Sequence, residues 1–519
     1  MSVPPHNFVY TDGDQQAAEA VQEALAPRFS VVAGRRTRTI RRTWLDTFDW
    51  RLYRAGLTLE YVAGNGHGHG ELVLTGATGE RITAAANGTR WPALADDLPD
   101  GPLRARLEGL TSVRALLPAA KAASTVSEFR VCNADDKTVA WLTVDHMLAA
   151  QPAAADLPTR LSVTPVRGYQ AQADRIAQYL AAEPGVMPGA LPPLDAVLAT
   201  VGRAPGEYDG KIDVDLDPAM PARMALAAVL LQLLDTLEAN VPGTVRDIDT
   251  EFLHDLRVAV RRTRSALKLG GDLLPVGLAD KYRPEFKWLG DLTTPTRDLD
   301  VHLLSFAADA AALTSASPAD LAPFHDYLTR RRAVEQRRLT RALRSARFTA
   351  LISGWRSALT SLAPPRHGPT AARAAATIIR RAHRRILTLG SAITDDSPAE
   401  NLHNLRKRCK ELRYALEFFA SLYDPAALRQ AVRELKALQD VLGTFQDCEV
   451  QQQEIRVIAA EMMDSHDVPA TALLAMGDLS AQVGRRERKA RSEFAARFAD
   501  FASRPARERF NALVLGPSA

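Results

Sequence analysis

Two regimes of hydrophobic patterning divide the chain. From Asn7 to about Pro205, apolar and polar positions alternate in short runs: Arg38–Trp44, Leu57–Val62, Glu71–Thr75, Val126–Val131, Val139–Val144 and Leu161–Thr164. Turn residues separate these runs, as antiparallel hairpins require. Helical spacing interrupts them near Gln15–Leu25 and Gln172–Leu180. The stretch Pro184–Pro218, rich in Gly and Pro, then breaks the pattern and reads as a connecting segment with one short helix. Beyond Pro221 no strand signal survives, and apolar positions recur at helical spacing to about Leu513. Pro242, Pro275, Pro295, Pro318, Pro364, Pro398 and Pro425 punctuate that region at places suited to helix starts or loops. The pattern predicts a multidomain α+β chain: an antiparallel, strand-rich domain over 1–205, a linker over 206–219 and an all-α domain over 220–513.

One stretch of the helical region occurs twice. His254-Asp-Leu-Arg257-Val-Ala-Val-Arg261-Arg262-Thr-Arg264 returns as His403-Asn-Leu-Arg406-Lys-Arg-Cys-Lys410-Glu-Leu-Arg413, an offset of 149 residues. At roughly 100° per residue, positions 0, +3, +7 and +10 fall within about 80° of one another, so each copy is a helix with one cationic edge. Leu256, Val260, Ala266 and Leu267, with Leu405, Leu412 and Leu416 in the second copy, lie beside that edge and must be packed while it faces an anion. The same offset carries Phe286-Lys287-Trp288-Leu289 to Leu435-Lys436-Ala437-Leu438, and Arg297-Asp298-Leu-Asp300-Val301 to Gln446-Asp447-Cys-Glu449-Val450. Nearly fifty residues at one shift mark an internal duplication. A pseudo-two-fold bundle follows, and if the copies face each other their basic edges line one channel.

Composition narrows the possibilities without choosing among them. At 519 residues there is room for two or three domains, and 46% hydrophobic with 24% charged residues describes an ordinary globular chain. No run approaches the roughly 20 apolar residues of a membrane span, and the N-terminus lacks the pattern of a signal peptide. Cys132, Cys409 and Cys448 have no metal-ligand spacing and fit a reducing compartment. The expected location is therefore cytoplasmic, without a membrane partner. Net charge is only +4, so any anion preference must come from where the arginines are placed.

In the first domain, Trp44-Leu-Asp46-Thr47-Phe48-Asp49-Trp-Arg-Leu52-Tyr-Arg-Ala-Gly56-Leu-Thr-Leu59 resembles the strand–turn–helix signature of the CYTH, or triphosphate tunnel, family. The resemblance implies an antiparallel β-barrel whose inward Glu, Lys and Arg hold a triphosphate and its metal. The family opens with a Glu-x-Glu-x-Lys strand, but here that stretch reads His6-Asn-Phe-Val-Tyr10. The strand after Gly56 lacks the family's arginines, and the late acidic strand reads Leu161-Ser-Val-Thr-Pro-Val166. Divalent metal needs carboxylates from several strands, so the barrel is expected to be degenerate, with no catalytic residue, metal or cofactor. Gly66-His67-Gly-His69-Gly70 offers two histidines without a third ligand and reads as a turn; Asp46 and Asp49 read as turn and cap residues.

The twin His-x-x-Arg helices, Leu412-Arg-Tyr-Ala-Leu-Glu-Phe-Phe419 and Leu438-Gln-Asp-Val-Leu-Gly443 resemble the CHAD family over about 220–513. That resemblance implies two four-helix halves around a basic pore that binds inorganic polyphosphate. The carry-over lands on His254, Arg257, Arg261, Arg264, His403, Arg406, Lys410 and Arg413; Lys268, Lys287 and Lys436 add neighbouring cations. Arg262 is matched by Glu411, so that position is not symmetric.

The residue types suit a polyanion by themselves. Arginine forks pair two phosphate oxygens and stay charged, and lysine adds a point charge. Four cations over about 15 Å of helix, twice, follow a linear chain of phosphates better than one small molecule. The histidines serve either as phosphate contacts or as hydrogen-bond partners that fix arginines, and Asp298 and Asp447 either cap helices or orient arginines. Further arginines from Arg330 to Arg347, at 380–385 and at 485–488 either join the site or form solvated faces. The expected function is non-catalytic polyphosphate binding. A metal-dependent triphosphatase in the barrel is the alternative, and nucleic-acid binding is disfavoured because the basic faces carry few aromatics for stacking.

Overall fold

The computed structural model of the chain describes residues 6–11, 17–34, 37–63, 70–86, 89–464 and 468–515. The histidine pair at 67 and 69 lies outside them. Two compact units divide the chain, Met1–Gly210 and Lys211–Ala519.

The first unit is built on an antiparallel sheet of β1 (His6–Tyr10), β2 (Ser30–Ala33), β3 (Arg38–Asp46), β4 (Leu57–Ala63), β5 (Gly70–Gly76), β6 (Arg81–Ala85), β7 (Leu117–Cys132), β8 (Thr138–Gln151), β9 (Ala155–Pro165) and β10 (Val186–Pro188). The order is β10-β1-β9-β8-β7-β3-β4-β5-β6, with β2 sharing with β3 the second edge of the long β7. Among the described residues β10 and β6 do not pair with each other, so hydrogen bonding does not close the sheet into the expected barrel. Both faces are covered. Helices α1 (Ala17–Leu25) and α4 (Gln170–Ala181) pack on Phe8, Leu142, Leu161 and Val163, while α3 (Pro102–Thr111) packs on Leu45, Leu59, Leu72 and Leu74. The opposite face, with Trp44, Ala122 and Met147, is covered by Leu194 and Val197 of α5 (Pro193–Ala199).

The turn after β3 shows what the Asp-Thr signature does. Asp46 accepts from the backbone N–H groups of Thr47 (2.7 Å), Leu52 (3.0 Å) and Tyr53 (2.9 Å), which fixes the short helix α2 (Arg51–Arg54). Burial outweighs those hydrogen bonds and raises the Asp46 pKa to about 6. Asp49 accepts from the Thr47 hydroxyl and from Arg51 Nε, at 2.7 and 2.9 Å. Both carboxylates are consumed by local structure.

Residues 206–219 are tied down on either side of Gly210. Arg54 donates to the carbonyls of Gly206 (3.0 Å) and Tyr208 (3.1 Å) within the first unit. In the second unit, the Leu216 N–H donates to Ser421 Oγ at 3.1 Å, and the Leu216 side chain is buried in the helical core.

The second unit is all helix: α6 (Ala222–Arg246), α7 (Thr250–Gly270), α8 (Leu278–Ala311), α9 (Ala322–Leu343), α10 (Ala346–Thr360), α11 (Ala371–Ser391), α12 (Ala399–Phe418), α13 (Pro425–Asp464), α14 (Ala470–Phe501) and α15 (Arg504–Leu515). Helices α6 to α9 recur as α11 to α14, with starts 149, 149, 147 and 148 residues apart. Each half thus has the four expected helices and a fifth, α10 or α15. The duplication is also a spatial two-fold. Ala222 N–H donates to Pro369 O (3.0 Å) and Ala371 N–H to Met220 O (2.8 Å), a reciprocal pair whose members are exchanged by the 149-residue shift.

Two sequence expectations are corrected here. Pro242 and Pro295 lie inside α6 and α8 rather than at starts or loops. Tertiary packing overrides the local cost of proline; Gly243, next to Pro242, lets the Phe252 ring sit where a Cβ would be. Helix α6 is also long and apolar enough to cross a membrane, contrary to the reading that no run approaches that length. Its Leu226, Leu230, Leu233 and Leu237 are buried in the unit's core, which explains its all-round hydrophobicity.

Candidate functional site

Asp249 caps α7 by accepting from the N–H groups of Glu251 and Phe252, at 2.9 and 3.2 Å. One turn on, the repeated motif begins. Leu256, Val260, Leu267, Leu405, Leu412 and Leu416 are fully buried, as the flanking positions of the basic edge should be. Their burial fixes how the edge is turned.

At the crossing of α7 and α12 the two copies touch. Arg262 donates to Glu417 at 2.6 Å, and Lys268 pairs with Glu411 at 2.7 Å. The 149-residue shift converts one pair into the other with the charges reversed, since both positions are cationic in α7 and acidic in α12. The mismatch between Arg262 and Glu411 is therefore a complementary joint between the halves. Glu417 also accepts from Arg413 Nε, at 2.8 Å. Replacing Glu417 by Gln strips the carboxylate from two arginines, one of them only 14% exposed. The expected loss is about 1–3 kcal/mol, read from denaturant unfolding, and a change below ~0.5 kcal/mol would show that the joint contributes nothing.

Beyond the joint the edges themselves converge. Arg261 Nε donates to the Tyr414 hydroxyl of the other copy, its guanidinium 5.8 Å from that ring's centre. Burial, then Arg406 and Arg261, with Arg257 a smaller contributor, push the Lys410 ammonium down to about 8, while Asp447 pulls the other way. Cations of both copies thus share one neighbourhood. Burial also lowers the Arg257 pKa, with Arg261, Arg297 and Arg264 adding to the effect against Asp298. Among the described residues, Arg261, Arg264 and Lys410 form no ion pair with a carboxylate.

Two aspartates hold the symmetric arginines. Asp298 on α8 lies 3.9 Å from Arg257, and its counterpart Asp447 on α13 lies 3.0 Å from Arg406. Both sit inside helices, so they orient arginines and do not cap. Arg257 further donates to the hydroxyl of Thr294 and to the Gly290 carbonyl, the latter at 3.4 Å. A Cβ on Gly290 would come within 2.7 Å of the Arg264 guanidinium, so the absence of a side chain there lets Arg264 lie on α8. Burial raises the Asp298 pKa to about 6, opposed first by Arg257.

The remaining expected residues divide. His403 Nε2 stands 2.7 Å from Glu449, off line for a hydrogen bond, and stacks edge-on toward Phe445. His254 is half-buried on α7. Lys268 and Arg413 are engaged at the joint, Lys287 pairs with Asp291 at 2.7 Å within α8, and Lys436 is exposed on α13. Several arginines of α9 and α10 are committed elsewhere: on α9, Arg331 to Glu461 and Arg332 to Asp300; on α10, Arg347 to Glu285 while covering the Trp288 ring. Sequence reasoning missed Arg297 and Tyr414 as neighbours of the edge. Arg297 was hidden because its repeat partner is Gln446, and Tyr414 because Ser265 occupies its place in the first copy.

A cleft of about 540 Å³ between α13 and α14, with Asp440, Thr444, Arg486, Lys489, Glu493 and Arg497 on its walls, is a separate feature of mixed charge. No group of three His, Cys, Asp or Glu side chains arranged for a metal occurs among the described residues.

Comparisons with known proteins agree with the helical half of this picture. Residues 228–456 match the family model of the CHAD domain. The chain is similar to the crystal structure of the CHAD domain from the plant Ricinus communis, at 27% identity over 55% of this chain and 94% of that one, with a TM-score of 0.47. It is also similar to PptA from Streptomyces chartreusis, at 19% identity over 54% and 99% of the two chains (TM-score 0.43). A third likeness is to the PH1819 protein from Pyrococcus horikoshii, at 10% identity over 38% and 96% (TM-score 0.24). No curated protein matches the chain. Within the helical unit, residues 228–456 are a CHAD domain.

Proposed function

We propose that the chain binds inorganic polyphosphate, without turning it over, at the edge formed jointly by α7 and α12. The observation that carries this reading is the Lys410 neighbourhood: a half-buried ammonium among Arg406, Arg261 and Arg257, its proton affinity lowered first by burial and then by those arginines. Such a group of like charges is unfavourable alone and becomes favourable when an anion with several charges lies along it. A phosphate chain supplies oxygens at short, regular intervals to every arginine fork, without bases that would need stacking partners. The CHAD domain family is associated with polyphosphate, which supports the same ligand. The histidines are read as flanking the contacts made by the arginines, with His403 set against Glu449 and the Phe445 ring.

The sheet unit is read as a triphosphate tunnel relative without its catalytic strand. β1 is His-Asn-Phe-Val-Tyr where that chemistry needs two glutamates and a lysine on one face. The purified protein is expected to release no phosphate from tripolyphosphate with magnesium or manganese. Metal-dependent release that survives repurification, and that is abolished by replacing sheet residues such as Arg42 or Asp145, would overturn this part of the reading. The binding reading itself is tested by calorimetric titration with long-chain polyphosphate, tripolyphosphate and single-stranded DNA as rivals. Polyphosphate is expected to bind tightest, with an affinity that falls steeply with salt as condensed counterions are released.

A further inference from the structure

Between Glu335 and Asp395 the chain contains no aspartate or glutamate over 59 consecutive positions, yet it carries twelve arginines and no lysine. At the chain's average of 61 acids in 519 residues, a stretch of that length would hold about seven. Two of the twelve, Arg347 and Arg356, are neutralised by Glu285 and by Asp235 with Glu238, and Arg338 lies 3.8 Å from Glu335. The densest remainder is on α11, where Arg373, Arg380, Arg381, Arg384 and Arg385 are all exposed. None of these five forms an ion pair among the described residues.

Helical spacing makes them one surface. Arg373, Arg380 and Arg384 fall within about 40° and Arg381 and Arg385 beside them, along roughly 18 Å of helix. The other side of α11, with Ala371, Ala375, Ile379, Ala382 and Ile386, is buried in the unit's core. The charged face is thereby fixed outward on a rigid element. It is separate from the α7 and α12 edge: no residue of the repeated motif lies on α11, and the corresponding helix of the first half, α6, has no such face.

We infer that the outer face of α11 is a second track for the phosphate chain, so that a long polyphosphate engages both it and the central edge of one molecule. This inference rests on the binding reading above. Charge complementarity selects the occupant. Five arginines without a carboxylate call for a polyanion, and their forks suit phosphate oxygens. No aromatic side chain stands among the exposed arginines to stack bases, and the helix's apolar side is buried and cannot enter a lipid surface. A ligand made of phosphates alone uses everything this face offers. The two tracks together would make affinity depend on chain length, because a chain held at one site is presented to the other at high effective concentration.

The test compares the full chain with a variant carrying Arg380→Gln, Arg381→Gln, Arg384→Gln and Arg385→Gln, each titrated with tripolyphosphate, long-chain polyphosphate and single-stranded DNA at several salt concentrations. The variant is expected to bind tripolyphosphate within about twofold of wild type, to lose roughly tenfold or more for the long chain, and to show a salt slope shallower by about three. The same four positions changed to Lys should keep most of that slope, which separates charge from disturbance of the helix; circular dichroism and melting of both variants check the fold. Unchanged long-chain affinity and slope in a folded Gln variant would overturn the inference. Equal losses for the short and long ligands would also overturn it, since the face would then belong to one site with the central edge. If the Gln variant loses only single-stranded DNA binding, the face is a nucleic-acid surface instead. A wild-type chain that binds neither phosphate ligand would sink the binding reading itself, an outcome distinct from all of these.

Discussion

With Arg257 and Arg406 both replaced by alanine, the chain is expected to bind long polyphosphate at least roughly tenfold more weakly than wild type. Each close contact between an arginine and a phosphate is worth about 1.5–3 kcal/mol as a charge-assisted hydrogen bond. Part of that is regained because the α11 face is untouched, so the loss should be larger for tripolyphosphate than for the long chain. The two residues are equivalent under the 149-residue shift, and each is held by its own aspartate, at 3.9 Å from Asp298 and 3.0 Å from Asp447. Single replacements should therefore cost similar amounts. Asp447 holds Arg406 more closely than Asp298 holds Arg257, so Asp447→Asn should alter binding more than Asp298→Asn.

The second large effect is on pH. In the free protein Lys410 is pushed down to about 8 from an ordinary value of 10.5, so between those limits the folded state holds fewer protons than the unfolded state. Its contribution to stability therefore rises with pH across that window, and the free protein is expected to be strained by this charge below about pH 8. A bound polyanion favours the ammonium and moves its pKa back up. Binding should consequently take up close to one proton between about pH 8 and 10, and affinity should fall by up to about tenfold per pH unit there. Lys410→Arg should remove that limb. Asp298, raised to about 6, works on the acid side: as pH falls through that value its negative charge is lost from beside Arg257, and affinity should rise. Titrations in buffers of different ionisation heat read the proton uptake directly. Uptake that is absent in wild type, or unaltered in Lys410→Arg, would place Lys410 outside the site.

Much of this was legible in the sequence. A constant offset linking His254, Arg257, Arg261 and Arg264 to His403, Arg406, Lys410 and Arg413 gave the two helices, their basic edges and the pseudo-two-fold, because a helix places residues three, four and seven apart on one side whatever surrounds it. The Asp-Thr turn after β3 was readable for the same reason: its hydrogen bonds are local. What escaped depended on partners distant in the chain. Residues 117–125 are rich in alanine and have no strand propensity of their own, yet β3 on one edge and β8 on the other make them half of β7. β10 escaped similarly, since Val186–Pro188 becomes a strand only by pairing with β1. At the site, Lys268 looked like a ligand contact from its place in the motif, but Glu411 takes it into the joint. The repeat already contained that information as two mismatches, Arg262 with Glu411 and Lys268 with Glu417; only the crossing of α7 and α12 shows that the mismatched residues meet.

The central claim is that the two copies form one polyphosphate site, and calorimetric titration of wild type, Arg257→Ala, Arg406→Ala and the double variant with tripolyphosphate tests it most directly. Tripolyphosphate is short enough to report on one track at a time. The account predicts one tightly bound ligand per chain in wild type, with each single replacement lowering affinity by a similar factor while the stoichiometry stays the same. Stoichiometry that halves with either single replacement would mean two independent sites. Affinity and stoichiometry that both survive in a double variant whose circular dichroism is unchanged would mean that the repeated basic edge serves only the fold.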